Sequence, residues 1–178
     1  MTSLAIRSCQ PSDYQAMADI YNESIATGRS TMDTSPVGPE KFQTIHKNLG
    51  NREVLFVAET GGLDETAKVV GWGAVRKYSD RYGYRVCCET SIYLTLNETG
   101  KGYGSLLQEE LLKAVEEFNY HHVLVRIMTV NQESIRFHKK FGFEQVGVLR
   151  EVGYFRDRWH DVTIMQLVLP HVMPVGNI

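Results

Sequence analysis

Residues 89–105 read Glu-Thr-Ser-Ile-Tyr-Leu-Thr-Leu-Asn-Glu-Thr-Gly-Lys-Gly-Tyr-Gly-Ser, and the expected fold is built outward from them. The stretch from Val86 to Leu94 predicts a strand. A short turn follows, then a loop with glycine at 100, 102 and 104, then a long amphipathic helix from about Gly102 to Phe118. Glycines in alternate positions let the backbone approach a ligand closely and adopt positive φ. The helix behind them adds unpaired N–H groups and a positive dipole end. Together these features predict an anion site, most simply for a phosphate or pyrophosphate.

Spacing excludes two familiar nucleotide motifs. In a Gly-x-x-x-x-Gly-Lys-[Ser/Thr] loop, Thr95 would stand at the first glycine, and Gly102 follows Lys101. A Gly-x-Gly-x-x-Gly fingerprint starting at Gly102 would need glycine where Leu107 stands. The plain alternative is a glycine-rich turn with no ligand.

A second stretch bears on that choice. Residues 131–143 read Asn-Gln-Glu-Ser-Ile-Arg-Phe-His-Lys-Lys-Phe-Gly-Phe, which predicts a short helix stopped by Gly142 and followed by a strand. With Thr-Gly-Lys-Gly-Tyr-Gly upstream, this resembles the Gcn5-related N-acetyltransferase (GNAT) superfamily. Glu89-Thr-Ser-Ile-Tyr-Leu, His138-Lys-Lys-Phe-Gly-Phe and Trp159-His160-Asp161-Val162 resemble its phosphinothricin and methionine sulfoximine acetyltransferase branch. The resemblance runs over roughly residues 4–169. It departs from the superfamily at Thr99, where Gln or Arg is usual, so no charged fork is offered to phosphate there.

The resemblance implies an α/β (α+β) GNAT fold: a mixed, mostly antiparallel sheet splayed after the fourth strand, with helices on both faces. It implies acetyl-CoA as acetyl donor, no metal, a small-molecule amine acceptor, and a homodimer. The N–H groups of Thr99, Gly100, Lys101, Gly102, Tyr103, Gly104 and Ser105 would cradle pyrophosphate. Ile92, Tyr93 and Leu94 would offer strand-edge amides to the pantetheine arm and thioester, and Asn131 and Ser134 would touch the coenzyme; in the plain reading Asn131 caps its helix, and both can hold. Glu89 matches the family's catalytic glutamate, and desolvation at the sheet's open end would suit it to take a proton from the amine. The bland alternative is an exposed strand residue, or a glutamate that binds the ammonium without taking its proton. His138 stands where many members carry a tyrosine that protonates the departing thiolate; an imidazolium would serve, and the alternative is a histidine that merely hydrogen-bonds coenzyme. Lys77, Tyr78, Ser79, Asp80, Arg81, Cys87 and Cys88, with Glu89, would contact the acceptor, although Tyr78-Ser79 replaces the family's aromatic-arginine pair.

Composition agrees with a small enzyme. A chain of 178 residues predicts one domain with a sizeable core. A net charge of −2 gives no reason to expect nucleic acid as a partner. No apolar run approaches the ~20 residues of a membrane span, and the first residues lack the pattern of a signal peptide. Three cysteines make no disulfide framework and suggest a cytoplasmic setting. The histidines have no ligand-like spacing, and no Gly-x-Ser-x-Gly motif appears, so direct transfer in a ternary complex is expected rather than an acyl-enzyme.

Strands are predicted at Leu4–Ser8, Val54–Glu59, Val69–Val75, Val123–Met128, Phe143–Leu149 and Val162–Leu169. A helix starts at Pro11-Ser12-Asp13 with Ser12 as cap, presents Tyr14, Met17, Ile20, Tyr21 and Ile25 on one face, and ends at Gly28. Pro39 opens a second helix. The helix after the glycine loop turns Leu106, Leu107, Leu111, Leu112 and Val115 to the sheet, with a polar turn expected at Gly61-Gly62-Leu63-Asp64. His160-Asp161 is expected in a turn before the last strand, and Pro170–Ile178 is a short tail. Two rival functions stay open: acetylation of a peptide or protein N-terminus, and a non-catalytic acetyl-CoA-binding module.

Overall fold

A computed structural model describes residues 3–61 and 67–173. Most of the turn expected at 61–64, and the last residues of the tail, lie outside them. The elements in chain order are β1 (Ser3–Ser8), α1 (Tyr14–Thr27), α2 (Pro39–Lys47), β2 (Val54–Gly61), β3 (Lys68–Lys77) and β4 (Cys87–Leu94). They continue with α3 (Tyr103–Glu117), β5 (His122–Met128), α4 (Gln132–Lys140), β6 (Glu144–Phe155) and β7 (Arg158–Val168). The strands form one sheet in the order β1-β2-β3-β4-β5-β7-β6. Every neighbouring pair is antiparallel except β4–β5.

That parallel pair is short. Its register runs only from Cys87↔His122 to Glu89↔Leu124. Beyond Glu89, β4 stays paired with β3 as far as Leu94, and β5 stays paired with β7 as far as Met128. The sheet therefore splays immediately after Glu89.

Each face of the sheet is covered by helices, because alternate strand residues supply two apolar surfaces. On one face Leu107, Leu111 and Val115 of α3 are fully buried against Val70, Val75, Cys88, Val123, Val125 and Met165. On the other face Met17, Ile20, Tyr21 and Ile25 of α1 and Phe42 of α2 pack on Leu55, Val57, Trp72 and Ala74. The α1 stripe read from helical spacing is therefore largely core. Leu106 is an exception to the reading of α3: it is 46% exposed, one step around the helix from the buried face. No helix among the described residues is long and apolar enough to cross a membrane.

Two local expectations are corrected. Ser12 does not cap α1. The chain enters through a 3-10 turn at Pro11–Asp13, with Asp13 accepting from the Gln10 N–H at 2.7 Å. Asp13 also pairs with Arg7 at 2.7 Å, which first and foremost holds its carboxyl below the usual range. In addition, β6 and β7 run much longer than predicted and join through Arg156 and Asp157, both at positive φ. His160 and Asp161 thus lie inside β7 rather than in a turn. The buried His160 ring stacks on Phe155 at 3.9 Å and its Nε2 meets the Phe155 carbonyl at 3.1 Å.

A buried carboxylate ties the start of β2 to the end of β3. Glu53 accepts from the Gly50 N–H at 2.7 Å, Arg76 Nε at 2.9 Å and the Lys77 N–H at 3.0 Å. Burial alone would push its carboxyl up, but these donors outweigh it and hold the group below its ordinary range. Glu53→Ala is expected to cost about 2 kcal/mol near pH 7, by stranding three donors, one of them on a partly solvated guanidinium. The depressed carboxyl stabilises the fold above the ordinary glutamate range and ceases to do so as pH falls through its lowered value. Denaturant unfolding should therefore show the gap between wild type and variant closing in acid.

Candidate functional site

The glycine loop arrives at α3 by a forced path. Leu96–Glu98 form a 3-10 turn after β4, anchored by Glu23 of α1, whose carboxylate accepts from Thr95 Oγ1 at 2.7 Å and the Leu96 N–H at 2.8 Å. Gly100 and Gly102 then take φ of 79° and 87°. Both values lie where a Cβ is strained. A Cβ built at either glycine meets nothing within 4 Å, so the backbone conformation, and not a steric contact, is what calls for glycine at these two positions. The N–H groups of Gly100, Lys101, Gly102, Tyr103 and Gly104 have no acceptor among the described residues. The Thr99 N–H is spent on the Leu96 carbonyl at 3.3 Å and the Ser105 N–H on the Gly102 carbonyl at 3.0 Å. Of the seven N–H groups expected to form a cradle, five are thus free among the described residues. Thr99 Oγ1 also turns inward to the Leu96 carbonyl, and Lys101 pairs with Glu98 at 2.8 Å.

The cradle adjoins the opening in the sheet. A Cβ on Gly104 would lie 3.3 Å from Leu94 of β4 and 3.6 Å from Phe137 of α4. The start of α3, the end of β4 and α4 therefore meet there. Along β4, backbone groups alternate between its two edges. The Thr95 N–H bonds the Val70 carbonyl and the Tyr78 N–H bonds the Cys87 carbonyl, so odd residues face β3. Even residues face the other edge, where β5 has departed. Ile92 and Leu94 therefore turn their amides into the opening, as expected. Tyr93 does not: its backbone bonds β3, and its ring stacks on Trp72 at 4.6 Å and meets Tyr21 edge-on at 5.0 Å. The Thr90 hydroxyl, one residue past the last β4–β5 rung, is buried without a partner among the described residues. A backbone hollow of free N–H groups, an open strand edge and an orphaned hydroxyl suit a long ligand with an anionic end.

Asn131 caps α4 as expected, its Oδ1 accepting from the Ser134 N–H at 3.1 Å. Its Nδ2 points to Ser30 Oγ at 3.4 Å. Ser134 in turn fixes His138: its carbonyl lies 2.8 Å from Nδ1. A carbonyl only accepts, so Nδ1 carries the proton and Nε2 is a bare acceptor in the neutral ring. His138 is buried between Phe137 and Phe143, each edge-on at 5.2 Å. Burial lowers its proton affinity, and the Ser134 carbonyl offsets only part of that. Burial thus works against the imidazolium form that the expected donor role requires.

Glu89, Ser91 and Tyr93 share the face of β4 that carries α1 and α2. The Glu89 side chain is 24% exposed and takes a 2.7 Å ion pair from Arg126 Nη2 of β5. It is neither dry nor unpartnered, in contrast to the desolvated carboxylate expected. Arg76 stands directly across from it on β3, engaged by Glu53. A wall closes this face beyond the opening. Tyr21 bonds Thr31 and Asp33 at 2.7 and 2.8 Å, Asn22 exchanges bonds with Val37, and Arg156 from the β6–β7 hairpin donates to the carbonyls of Ile25 and Ala26.

The acceptor residues expected from sequence are only partly gathered there. Cys88 points into the α3-side core, fully buried, with its thiol pushed up by burial, so it cannot touch an acceptor beside Glu89. Cys87 lies on the Glu89 face, buried, with its thiol pushed up to about 11 by burial. Lys77 leaves β3 on the face opposite Glu89 and pairs with Asp80 at 2.5 Å. Ser79, Asp80 and Arg81 line an open pocket of about 490 Å³ with Arg52, Glu53, Arg85 and Tyr120; Glu89 does not line it. Tyr78 packs edge-on to Tyr84 at 5.2 Å. Arg126 and Arg156 were missed. Arg126 is a charged position within an otherwise apolar strand, which was the available signal; Arg156 had none. No group of three or more potential metal-ligating side chains occurs among the described residues.

The family model described as an acetyltransferase (GNAT) domain matches residues 6–164. The phosphinothricin N-acetyltransferase of Streptomyces viridochromogenes is 30% identical over 161 residues, 90% of this chain and 85% of that protein. The L-methionine sulfoximine/L-methionine sulfone acetyltransferase of Pseudomonas paraeruginosa is 28% identical over 174 residues, 94% of this chain and 95% of that protein. Among solved structures, a GNAT superfamily phosphinothricin acetyltransferase from Sinorhizobium meliloti in complex with AcCoA superposes with a TM-score of 0.84 at 28% identity, covering 93% of this chain and 88% of that one.

The buried neutral His138 carries a pH signature. Its proton affinity in the fold lies below the ordinary value of 6.5, so its part of the stability is present above that pH and is lost as pH falls through the depressed value. Unfolding free energies measured between pH 8 and pH 5 should fall on the acid side in wild type. They should fall less steeply in His138→Gln.

Proposed function

Because the chain belongs to the GNAT acetyltransferase family, we propose that it moves the acetyl group of acetyl-CoA to the α-amino group of a small amino acid or analogue, of the methionine sulfoximine, methionine sulfone or phosphinothricin type. The observation that carries this reading is the carboxylate of Glu89, held at the last rung before the sheet opens. The branch of the family supports the acceptor class, since the relatives named for such amino acid analogues match nearly the full chain.

The donor fits the chain. Gly100 to Gly104 would hold the pyrophosphate through backbone N–H groups. Ile92 and Leu94 would align the pantetheine arm along the open edge, and one of their N–H groups would steady the thioester oxygen as negative charge develops there. Bound there, acetyl-CoA supplies an activated acetyl thioester. The Thr90 hydroxyl and the Asn131 cap flank that path.

A free α-amine has a pKa near ~8, so at neutral pH most of it must first lose a proton. Glu89 is the base, directly or through a water. The neutral amine attacks the thioester carbon; the carbon–sulfur bond breaks as the new amide bond forms. The departing thiolate takes up the proton that the nitrogen sheds, so no imidazolium is required. His138, neutral with Nε2 bare, is an acceptor for a nearby hydroxyl, thiol or water. Tyr78 and Arg81, a short step along the chain from Glu89, are outer candidates for contact with the acceptor's side chain.

The enzyme would work in the cytoplasm, a setting supported by three free, buried cysteines. It would work as a homodimer: Val146, Val148 and Val152 are exposed along β6, the edge strand of the sheet. The net charge of −2 supports a small-molecule substrate over nucleic acid.

The reading is tested by coenzyme A release from acetyl-CoA across free amino acids, methionine sulfoximine, methionine sulfone, phosphinothricin and short peptides. Turnover confined to the free amino acids and analogues is expected; turnover on peptides alone would overturn the acceptor class. Glu89→Gln should lower kcat by about 10²- to 10⁴-fold, the usual worth of a general base, while calorimetry finds acetyl-CoA binding unchanged.

A further inference from the structure

The Glu89–Arg126 pair crosses the mouth of the opening. Val123, Val125 and Ile127 of β5 are buried against α3, so Leu124, Arg126 and Met128 occupy the opposite face, the one that carries Glu89. Arg126 lies two residues past Leu124, where β5 has already parted from β4. Its guanidinium reaches back across the gap and binds Glu89 Oε2 through Nη2 alone, at 2.7 Å. Nε and Nη1 have no partner among the described residues, and Arg126 is 63% exposed.

Stability does not account for this arginine. An exposed pair contributes ~0–1 kcal/mol, and the strand partner of Arg126 is Ile164, which offers it nothing. Chemically the pair is awkward as well, because Arg126 occupies the carboxylate that must receive the substrate ammonium. Both facts follow if the pair is a stand-in for the substrate. A free α-amino acid carries an ammonium and a carboxylate on one carbon. It can place the first on Glu89 and the second on the guanidinium fork, trading one ion pair for two.

We propose that Arg126 is the ligand for the acceptor's α-carboxylate, and that a zwitterionic amino acid is bound by exchange with the resting Glu89–Arg126 pair. This rests on the acetyltransferase reading above and narrows it to one substrate class. Arg126 is well built for the exchange: guanidinium matches carboxylate bidentately, and an exposed pair opens at little cost. Specificity follows from the same geometry. An amine without a neighbouring carboxylate, or a peptide N-terminus whose α-carboxyl is an amide, leaves Arg126 on Glu89 and the base masked.

The test compares methionine sulfone with its primary amide, the same amine without the carboxylate, in wild type and Arg126→Gln, with rates referred to the unprotonated amine. Wild type should prefer the acid. In the variant, KM for the acid should rise about 10- to 100-fold, as for loss of a charged hydrogen-bonded pair; KM for the amide and for acetyl-CoA should hold, and the preference should vanish. Arg126→Lys should restore part of it. A merely structural arginine would instead lower the unfolding midpoint and shift both acceptors in parallel, and that result overturns the proposal. So does a wild type that accepts acid and amide equally, although the acetyltransferase reading would then stand. If wild type acetylates neither compound, that reading loses its support, and calorimetric titration of methionine sulfone decides the binding claim. Binding to wild type that is weakened in Arg126→Gln upholds the site; no binding, or equal binding to both proteins, removes it.

Discussion

Three rungs between β4 and β5 set the terms for everything else in this molecule. They hold the two strands together from Cys87 to Glu89 and then stop, while β3 and β7 continue to pair with the diverging strands. A sheet that parts in its middle exposes backbone amides that would be costly to bury unpaired. The gap is tolerable because it is lined by an open strand edge that a ligand or water can satisfy. Residues on either side of the last rung inherit their roles from it: Glu89 at the vertex, Ile92 and Leu94 along one lip, Arg126 along the other.

The two faces of the gap are different environments. On the α3 side the free polar groups are almost all backbone: the N–H groups of Gly100 to Gly104, the amides along the open edge of β4, and the start of α4. Main-chain donors need no particular side chain, only a path that side chains would obstruct. On the α1–α2 side the groups are charged side chains arranged in two layers. Glu53 holds Arg76 from beneath, through a carboxylate that is buried and fully bonded. Arg126 and Glu89 meet above it, partly in water. The deeper pair is a fixture, since breaking it strands buried donors. The outer pair can exchange partners at small cost, as an entry point for a charged substrate requires.

Much of this was legible in the residues. Strand alternation and helical spacing identified β1 to β5 and all four helices to within a few positions, since burial on one face imposes those periods. Gly100 and Gly102 marked the turn into α3 because only glycine takes their positive φ without strain. Asn131 announced the cap of α4. The errors have a common cause. Ser12, Leu106 and the short last two strands were judged from residue type and period, whereas the Arg7–Asp13 pair, the packing of α3 on the sheet and the β6–β7 pairing decided them. His138 was given a second proton that its burial disfavours, more than the Ser134 carbonyl favours it.

By itself, then, the sequence determined the family, the order of elements and the glycine turn into α3, because these rest on short-range period and on residues that tolerate positive φ. Only the tertiary structure decided which groups share a site. It buried Cys88 in the opposite face, turned Lys77 away from Glu89, and brought Arg126 of β5 within 2.7 Å of a glutamate 37 positions earlier. That meeting depends on where two strands stop pairing, which is settled by the packing of the whole sheet and is carried by no local run of residues.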